Sequence, residues 1–175
     1  RMSESIIKYP LVVQGPYAIP YKANDKNIKR VDKDAISSFW KAMGPWSGKQ
    51  GCYIFTLKAG PGFTPWYVGK AGQNFEQEVF NSDNLIKYNE VLHENSHGTP
   101  MLFILALAGT KVKIATKVVD EIETYFIQTA KLKNPDLKNK RKVQLPVWGV
   151  KGLLRGGQGK VDATTKRFGK LMGML

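Results

Sequence analysis

The sequence predicts a small α+β (α/β) domain, and three observations lead to that class. A chain of 175 residues with 42% hydrophobic residues is long enough for one domain with a real core. Two short strand-like segments are joined by a glycine-containing loop, as in a hairpin. Helical patterns precede and follow these strands, and a further strongly apolar segment lies between two of them.

The N-terminal segment predicts an extended arm. Residues 1–33 combine short apolar runs with Pro10, Gly15-Pro16 and Pro20. Because proline removes a backbone donor and glycine favours turns, we expect at most one edge strand in this arm.

Three further segments predict strands. Residues 52–57 and 66–69 predict a hairpin around a loop at 58–65, since both segments carry β-branched and aromatic residues. The run 101–108 is apolar throughout and is bounded by turn residues, which favours a buried strand.

Helical spacing of apolar residues predicts three helices, at about 33–43, 74–95 and 117–133. The second helix has a candidate break near Asn81, and the third ends before Pro135. The chain therefore divides into an N-terminal extension (1–50) packed on the core, a core (51–142) and a basic, glycine-containing C-terminal extension (143–175).

Charge is unevenly distributed and indicates a polyanionic partner. The chain has 27 Lys and Arg against 14 Asp and Glu, a net charge of +13. Most of the excess lies in residues 131–175, where basic side chains far outnumber the acids Asp136 and Asp162. Such a segment suits contact with nucleic acid, whose phosphates release counterions when neutralised. A solvated surface and an anionic membrane surface are the alternatives.

Within this basic region we expect nucleic acid, and DNA in particular, to contact six side chains. They are Lys138, Lys140, Arg141, Lys142, Lys151 and Arg155. Trp148 lies near them and offers a ring for base stacking, whereas a flexible basic tail is the alternative.

Other features bear on location. The sequence contains no stretch of about 18 apolar residues, so no membrane span is predicted. The start of the chain lacks the pattern of a secretory signal. The single cysteine, Cys52, cannot form an intramolecular disulfide. We therefore expect a cytoplasmic protein that has no membrane partner.

One carboxylate stands out on the third predicted helix. Glu123 lies inside an apolar stripe, where a carboxylate costs energy unless it is paired or binds a metal. The stripe consists of Val119, Ile122, Phe126, Ile127 and Ala130. Glu123 is therefore a candidate functional residue, and a glutamate satisfied at the edge of the stripe is the alternative.

Motifs around these residues resemble those of the GIY-YIG nucleases. Gly51-Cys52-Tyr53 and Tyr67-Val68-Gly69 resemble the two half-motifs that name the family. Glu123, with Phe126-Ile127 and then Pro135 and Asn139, resembles the family's later glutamate, apolar pair, proline and asparagine. The resemblance covers about residues 51–142.

The resemblance implies a central three-stranded antiparallel sheet flanked by helices and metal-dependent hydrolysis of phosphodiester bonds. Glu123 would ligate one divalent cation, Mg²⁺ or Mn²⁺. Tyr53 would help to activate the attacking water, with Tyr67 lining the site. Lys70 would touch phosphate, and Asn139 would help to hold the site together. Since a tyrosine needs nearby positive charge to act as a base, either tyrosine can be assigned that role at this stage.

The sequence departs from the family in one respect. The family carries an arginine on the helix after the second half-motif, whereas residues 71–97 contain none. Lys87, Lys70 or Arg155 could take its place, although lysine lacks the planar fork of arginine. The other possibility is a domain that has lost catalysis and only binds nucleic acid.

A second motif competes for part of the same region. His93, Glu94 and His97 match the H-E-x-x-H pattern of zinc hydrolases. Gly98 follows at once and Pro100 soon after, so the helix that this pattern needs is expected to stop. His93 is also a candidate proton donor in a nuclease site.

Overall fold

The computed structural model describes residues 7–109, 112–155 and 160–175, which form a mixed α+β fold. Its main sheet is antiparallel, with four strands in the order β1-β6-β4-β5. These strands are β1 (Leu11–Ala18), β4 (Gly51–Ala59), β5 (Gly62–Ala71) and β6 (Thr99–Leu107). A small second sheet pairs β2 (Tyr21–Ala23) with β3 (Lys29–Val31).

The expectation of a three-stranded sheet is wrong, because the N-terminal arm supplies a fourth strand. β1 pairs antiparallel with β6 and covers an edge whose backbone groups would otherwise lack partners. The pairing shifts register between Gln14 and Tyr17, at Gly15-Pro16. Gly15 has a φ of 114°, which a residue with a side chain rarely adopts. The predicted edge strand is thus confirmed, and it extends the main sheet.

The hairpin is tighter than the sequence predicts. β4 and β5 pair as far as Ala59 and Gly62, so only Gly60 and Pro61 form the turn. The predicted loop at 58–65 is therefore wrong. Backbone pairing continues beyond Leu57, where the apolar pattern stops.

Helices cover both faces of the sheet. On one face, Tyr53 and Phe55 of β4 pack in the larger core cluster with Phe39 of α1 (Ile36–Met43) and Tyr88 of α3 (Ser82–Glu94). On the other face, α4 (Thr116–Lys133) buries Ile127 and Ala130 against Val68 of β5. β4 lies between two partner strands, so its tyrosine is held in the interior of the sheet.

The predicted helices are confirmed with small changes. The first begins with a 3₁₀ turn at Lys33–Ala35 before α1, and the second divides into α2 (Phe75–Glu78) and α3. Asn81 causes this division, because its side chain accepts a hydrogen bond from the backbone N–H of Asn84 and caps α3.

The C-terminal extension contains a helix that the sequence pattern does not predict. α5 (Ala163–Leu171) begins at Asp162, whose carboxylate accepts a hydrogen bond from the Thr165 N–H. Its glycine and its many polar residues weaken the helical pattern. Three glycines of this extension, Gly156, Gly157 and Gly159, lie outside the described residues, as do the first six residues of the arm.

No helix in the described part of the chain is both long and apolar enough to cross a membrane.

Candidate active site

A cleft of about 350 Å³ lies at the outer edge of β5 and brings together most of the predicted site residues. Side chains of β5, α3, α4 and the segment after α4 line it. They are Tyr67, Lys70, Lys87, Glu123, Ile127, Asn139, Lys140, Arg141 and Lys142. We call this the edge cleft.

Asn139 anchors the segment after α4 to the edge strand. Its side-chain oxygen accepts a hydrogen bond from the Val68 N–H at 2.9 Å, and its amide nitrogen donates to the Val68 carbonyl at 2.8 Å. Two neighbours extend the contact: the Lys138 N–H donates to the Trp66 carbonyl, and the Asn134 side chain donates to the Pro65 carbonyl. These bonds satisfy backbone groups of an edge strand, and they place residues 139–142 over the cleft.

Tyr67 is the tyrosine that lines the edge cleft. The Lys87 ammonium lies 4.8 Å from the centre of its ring, within the range of a cation–π contact. Burial raises the pKa of the Tyr67 hydroxyl to about 12, and the negative charges of Glu123, Asp83 and Glu78 add to the effect. The phenol is therefore neutral at physiological pH unless further positive charge approaches it.

Tyr53 lies behind Tyr67, in the core. The two ring centres are 6.4 Å apart, but Tyr53 is only 2% exposed. Its hydroxyl accepts a hydrogen bond of 2.7 Å from the buried side chain of Asn84. Burial raises the pKa of Tyr53 well above the usual value, although the Asn84 hydrogen bond opposes the shift.

Four side chains of alternating charge contact one another beside the cleft. Lys70 forms an ion pair with Asp120. The Lys142 ammonium lies 3.4 Å from Asp120 Oδ1 and 2.6 Å from Glu123 Oε2. The Glu123 side chain is only 13% exposed, so its pairing with Lys142 offsets the cost of burying a carboxylate. Glu123 is thus a paired carboxylate, as its place in the apolar stripe requires.

The contacts among these charged side chains shift the pKa of Asp120 and of Lys142. The Lys70 hydrogen bond lowers the pKa of Asp120, with a smaller contribution from Lys142. Burial alone would lower the pKa of Lys142, but its contacts with Glu123 and Asp120 outweigh burial and raise it. At neutral pH Lys142 and Asp120 are therefore charged.

The described part of the chain holds no group of three or more His, Cys, Asp or Glu side chains arranged to bind a metal by themselves. Among the described residues, Glu123 is the carboxylate that lines the cleft, and Asp120 lies three residues earlier on α4, where it contacts Lys70 and Lys142. A metal in this cleft would therefore need oxygen ligands from water or substrate as well as from the protein.

Other predicted residues lie away from the edge cleft. Lys138 pairs with Glu94 at 2.8 Å, which leaves its ammonium partly neutralised. Arg155 packs its guanidinium against the rings of Tyr125 and Trp148, 5.0 and 5.4 Å from their centres. It lines a separate, larger groove beside α4, and Lys151 is exposed in the C-terminal extension.

The geometry of the H-E-x-x-H motif differs from that of a zinc site. α3 ends at Glu94, so His97 lies beyond the helix and cannot share a helical face with His93. His93 lines a pocket on the far side of α3, beside Asn24 and Glu90. The structure places none of these three residues in the edge cleft.

Two residues of the site were missed by sequence reasoning. Asp120 lies outside the apolar stripe that singled out Glu123, but it contacts both Lys70 and Lys142. Its spacing of three residues from Glu123 was the available signal. Asn84, which holds the Tyr53 hydroxyl, gave no signal, because a single asparagine in a polar helix has no distinctive pattern.

Comparisons with protein-family models, with curated proteins and with solved structures found no match to this chain. The resemblance to the GIY-YIG nucleases therefore rests on the sequence motifs alone.

Proposed function

We propose that this chain is a metal-dependent endonuclease that hydrolyses phosphodiester bonds in DNA at the edge cleft. One observation carries the proposal. Tyr67, Lys70 and Glu123 come from a strand and a distant helix, yet they line the same cleft beside Asn139. These are the positions that the family resemblance assigns to catalysis.

The charge of the cleft supports a phosphate-bearing substrate. Lys70 and Lys142 are balanced by Asp120 and Glu123. Lys87, Lys140 and Arg141 also line the cleft, and none of the three belongs to an ion pair between described residues. A cleft with this excess of positive charge attracts the nucleic-acid backbone.

Glu123 in the cleft, with Asp120 close to it on α4, fits a magnesium or manganese ion that is shared with substrate. Mg²⁺ is commonly held by one or two carboxylates together with water and substrate phosphate oxygens. Glu123 would hold the ion, and Asp120 is near enough in sequence on α4 to assist. When bound, such an ion supplies Lewis-acid activation and stabilises the negative charge of the transition state.

The chain's own residues account for the remaining requirements of hydrolysis. A water oxygen forms a bond to phosphorus and the ester P–O bond breaks. The proton of the water must pass to a base, and the departing oxygen takes up a proton from solvent. Tyr67 faces the cleft, whereas the Tyr53 hydroxyl is held by Asn84, so we assign the base to Tyr67. Only the phenolate form of Tyr67 can accept this proton, and a divalent cation held by Glu123 would supply the further positive charge that lowers its high pKa.

Lys87 takes the position of the missing arginine in this proposal. It comes from the helix after the second half-motif, and its ammonium lies against Tyr67. A lysine provides a point charge for the developing negative charge on phosphate, without the bidentate contact of arginine.

A non-catalytic nucleic-acid-binding module is the second candidate. The ion pair between Glu123 and Lys142 favours it, because a carboxylate engaged by lysine is not free to bind metal. The zinc-hydrolase alternative lacks comparable support, since His97 lies outside α3.

Incubation with DNA in the presence of Mg²⁺ or Mn²⁺ separates the two candidates. The nuclease proposal predicts cleavage of single- or double-stranded DNA that Glu123→Ala abolishes. The binding module predicts intact DNA, with salt-sensitive binding that survives Glu123→Ala and weakens when Lys140 and Arg141 are changed to Glu. Absence of cleavage of both DNA forms with either metal would contradict the nuclease proposal.

A further inference from the structure

Lys142 places an ammonium directly against one carboxylate oxygen of Glu123. Its ammonium is 2.6 Å from Glu123 Oε2 and also approaches Asp120 Oδ1. Of the described lysines and arginines, Lys142 is the one that pairs with Glu123. The carboxylate proposed to hold the metal is thus already neutralised by the protein.

The backbone holds Lys142 in this position. Asn139, three residues before Lys142, forms hydrogen bonds with the backbone N–H and carbonyl of Val68 and so fixes this segment to β5. Lys142 itself has a φ of 61°, in the left-handed region that lysine seldom adopts. A residue retains such a conformation when its surroundings over-determine it, here through Asn139 on one side and the two carboxylates on the other.

We propose that Lys142 acts as a tethered cation that competes with the divalent metal for Glu123, and that nucleic-acid phosphate relieves this competition by binding Lys142. The inference rests on the proposed function, since it concerns the same metal and the same substrate. Metal and nucleic acid would then bind cooperatively: each would favour the arrangement in which Lys142 has left Glu123.

Electrostatics supports this exchange. An ammonium and a divalent cation cannot both contact one carboxylate oxygen at short range, because like charges repel. A backbone phosphodiester placed in the cleft offers Lys142 an alternative anion whose single negative charge equals that of Glu123. Binding linkage is reciprocal: if the metal raises the affinity for nucleic acid by a given factor, nucleic acid raises the affinity for the metal by the same factor.

Mn²⁺ binding in the absence of nucleic acid tests the competition directly, with free Mn²⁺ measured by electron paramagnetic resonance. We expect Lys142→Met to bind Mn²⁺ roughly tenfold more tightly than the wild type. Lys140→Met is the matched control, because it removes the same charge from the cleft without touching Glu123. Its affinity should change much less.

A double variant identifies the ligand. Glu123→Gln combined with Lys142→Met should lose the gain, which assigns the Mn²⁺ to Glu123. The proposal would be overturned if Lys142→Met bound Mn²⁺ no more tightly than the wild type. It would also be overturned if Lys140→Met gained as much Mn²⁺ affinity as Lys142→Met. Circular dichroism spectra should be the same for every variant, so that a folding defect is recognised.

A labelled DNA duplex tests the second half of the proposal, in a Tyr67→Phe background to prevent cleavage. Mn²⁺ should strengthen duplex binding, measured by fluorescence anisotropy, more when Lys142 is present than when it is Met. An equal effect in both proteins would overturn the coupling. These binding readouts are independent of turnover: if they fail while wild-type cleavage still depends on Glu123, the nuclease proposal stands and the competition does not.

Discussion

Gly69 lies directly opposite Tyr53 in the β4–β5 pair, and the Tyr53 ring covers the place where a side chain on residue 69 would be. A methyl group at this position would overlap ring atoms of Tyr53 and its hydroxyl oxygen. The glycine of one half-motif therefore makes room for the tyrosine of the other. This gives the paired motifs a structural reason that is independent of catalysis.

Gly69→Ala should consequently destabilise the fold. We expect a loss of about 1–3 kcal/mol in the free energy of unfolding, since Tyr53 is enclosed by Asn84 and Phe75 and cannot easily move. Chemical denaturation measures the loss. Gly72→Ala is the control, because a side chain there meets nothing within 4 Å. Equal stability of the two variants would show that the ring does not need the glycine.

The two tyrosines should respond differently to loss of the hydroxyl. Tyr67→Phe should reduce cleavage by about 100-fold or more, as expected on removing a general base, with little change in stability. Tyr53→Phe removes the acceptor of the Asn84 hydrogen bond and should cost about 1–2 kcal/mol of stability. Cleavage rates and denaturation curves of both variants test the assignment of Tyr67 as the base. If Tyr53→Phe abolished cleavage and Tyr67→Phe only lowered stability, the assignment would be reversed.

Asn139 should matter through the backbone of β5. Asn139→Ala leaves the Val68 N–H and carbonyl without this partner and should cost about 1–3 kcal/mol. Asn139→Asp should also be destabilising, because a carboxylate can accept from the N–H but repels the carbonyl oxygen. Gln144→Ala, at an exposed position nearby, serves as the control. Denaturation midpoints that match the control would rule out the anchoring role.

Cys52 should be unreactive in the folded protein. Burial raises the pKa of its thiol to about 12, and the negative charge of Glu123 adds to the effect. A chromogenic disulfide reagent at pH 8 should therefore label the thiol only after denaturation. Rapid labelling of the native protein at pH 8 would contradict this expectation.

The same shift predicts how stability depends on pH. The Cys52 thiol ionises near pH 9 in the unfolded protein and only near pH 12 in the folded protein. The free energy of unfolding therefore falls progressively as pH rises between these values. Tyr67 and Tyr53 add losses in the same direction above pH 10, where an unperturbed tyrosine begins to ionise. In Cys52→Ala, the decline between pH 9 and 10 should disappear, whereas the decline above pH 10 should remain.

Much of the fold could be predicted because its signals are local. The apolar spacing that predicts α4 lies within one helix, and the strand-like residues of β4 and β5 adjoin their turn. The fourth strand of the sheet was harder to predict, since β1 pairs with β6, which is distant in sequence. Proline and glycine in that arm reduced its resemblance to a central strand, and β1 is indeed an edge strand.

The candidate site was only partly predictable. Glu123 could be singled out, because a carboxylate within an apolar stripe needs a partner. The identity of that partner, Lys142, depends on how the segment after α4 folds back over β5, and neither composition nor spacing encodes this path. The burial of Tyr53 likewise follows from the central position of β4 and from Asn84, not from the half-motif itself.

The most direct test of the central claim compares two glutamates of α4 in a plasmid-nicking assay with Mg²⁺. Glu123 lies in the edge cleft, whereas Glu121 is exposed and lies outside it. We expect the wild type and Glu121→Gln to nick supercoiled DNA, and Glu123→Gln to do so about 100-fold more slowly or not at all, with undiminished affinity for DNA. Nicking by Glu123→Gln at the wild-type rate would contradict the assignment of the edge cleft as the active site.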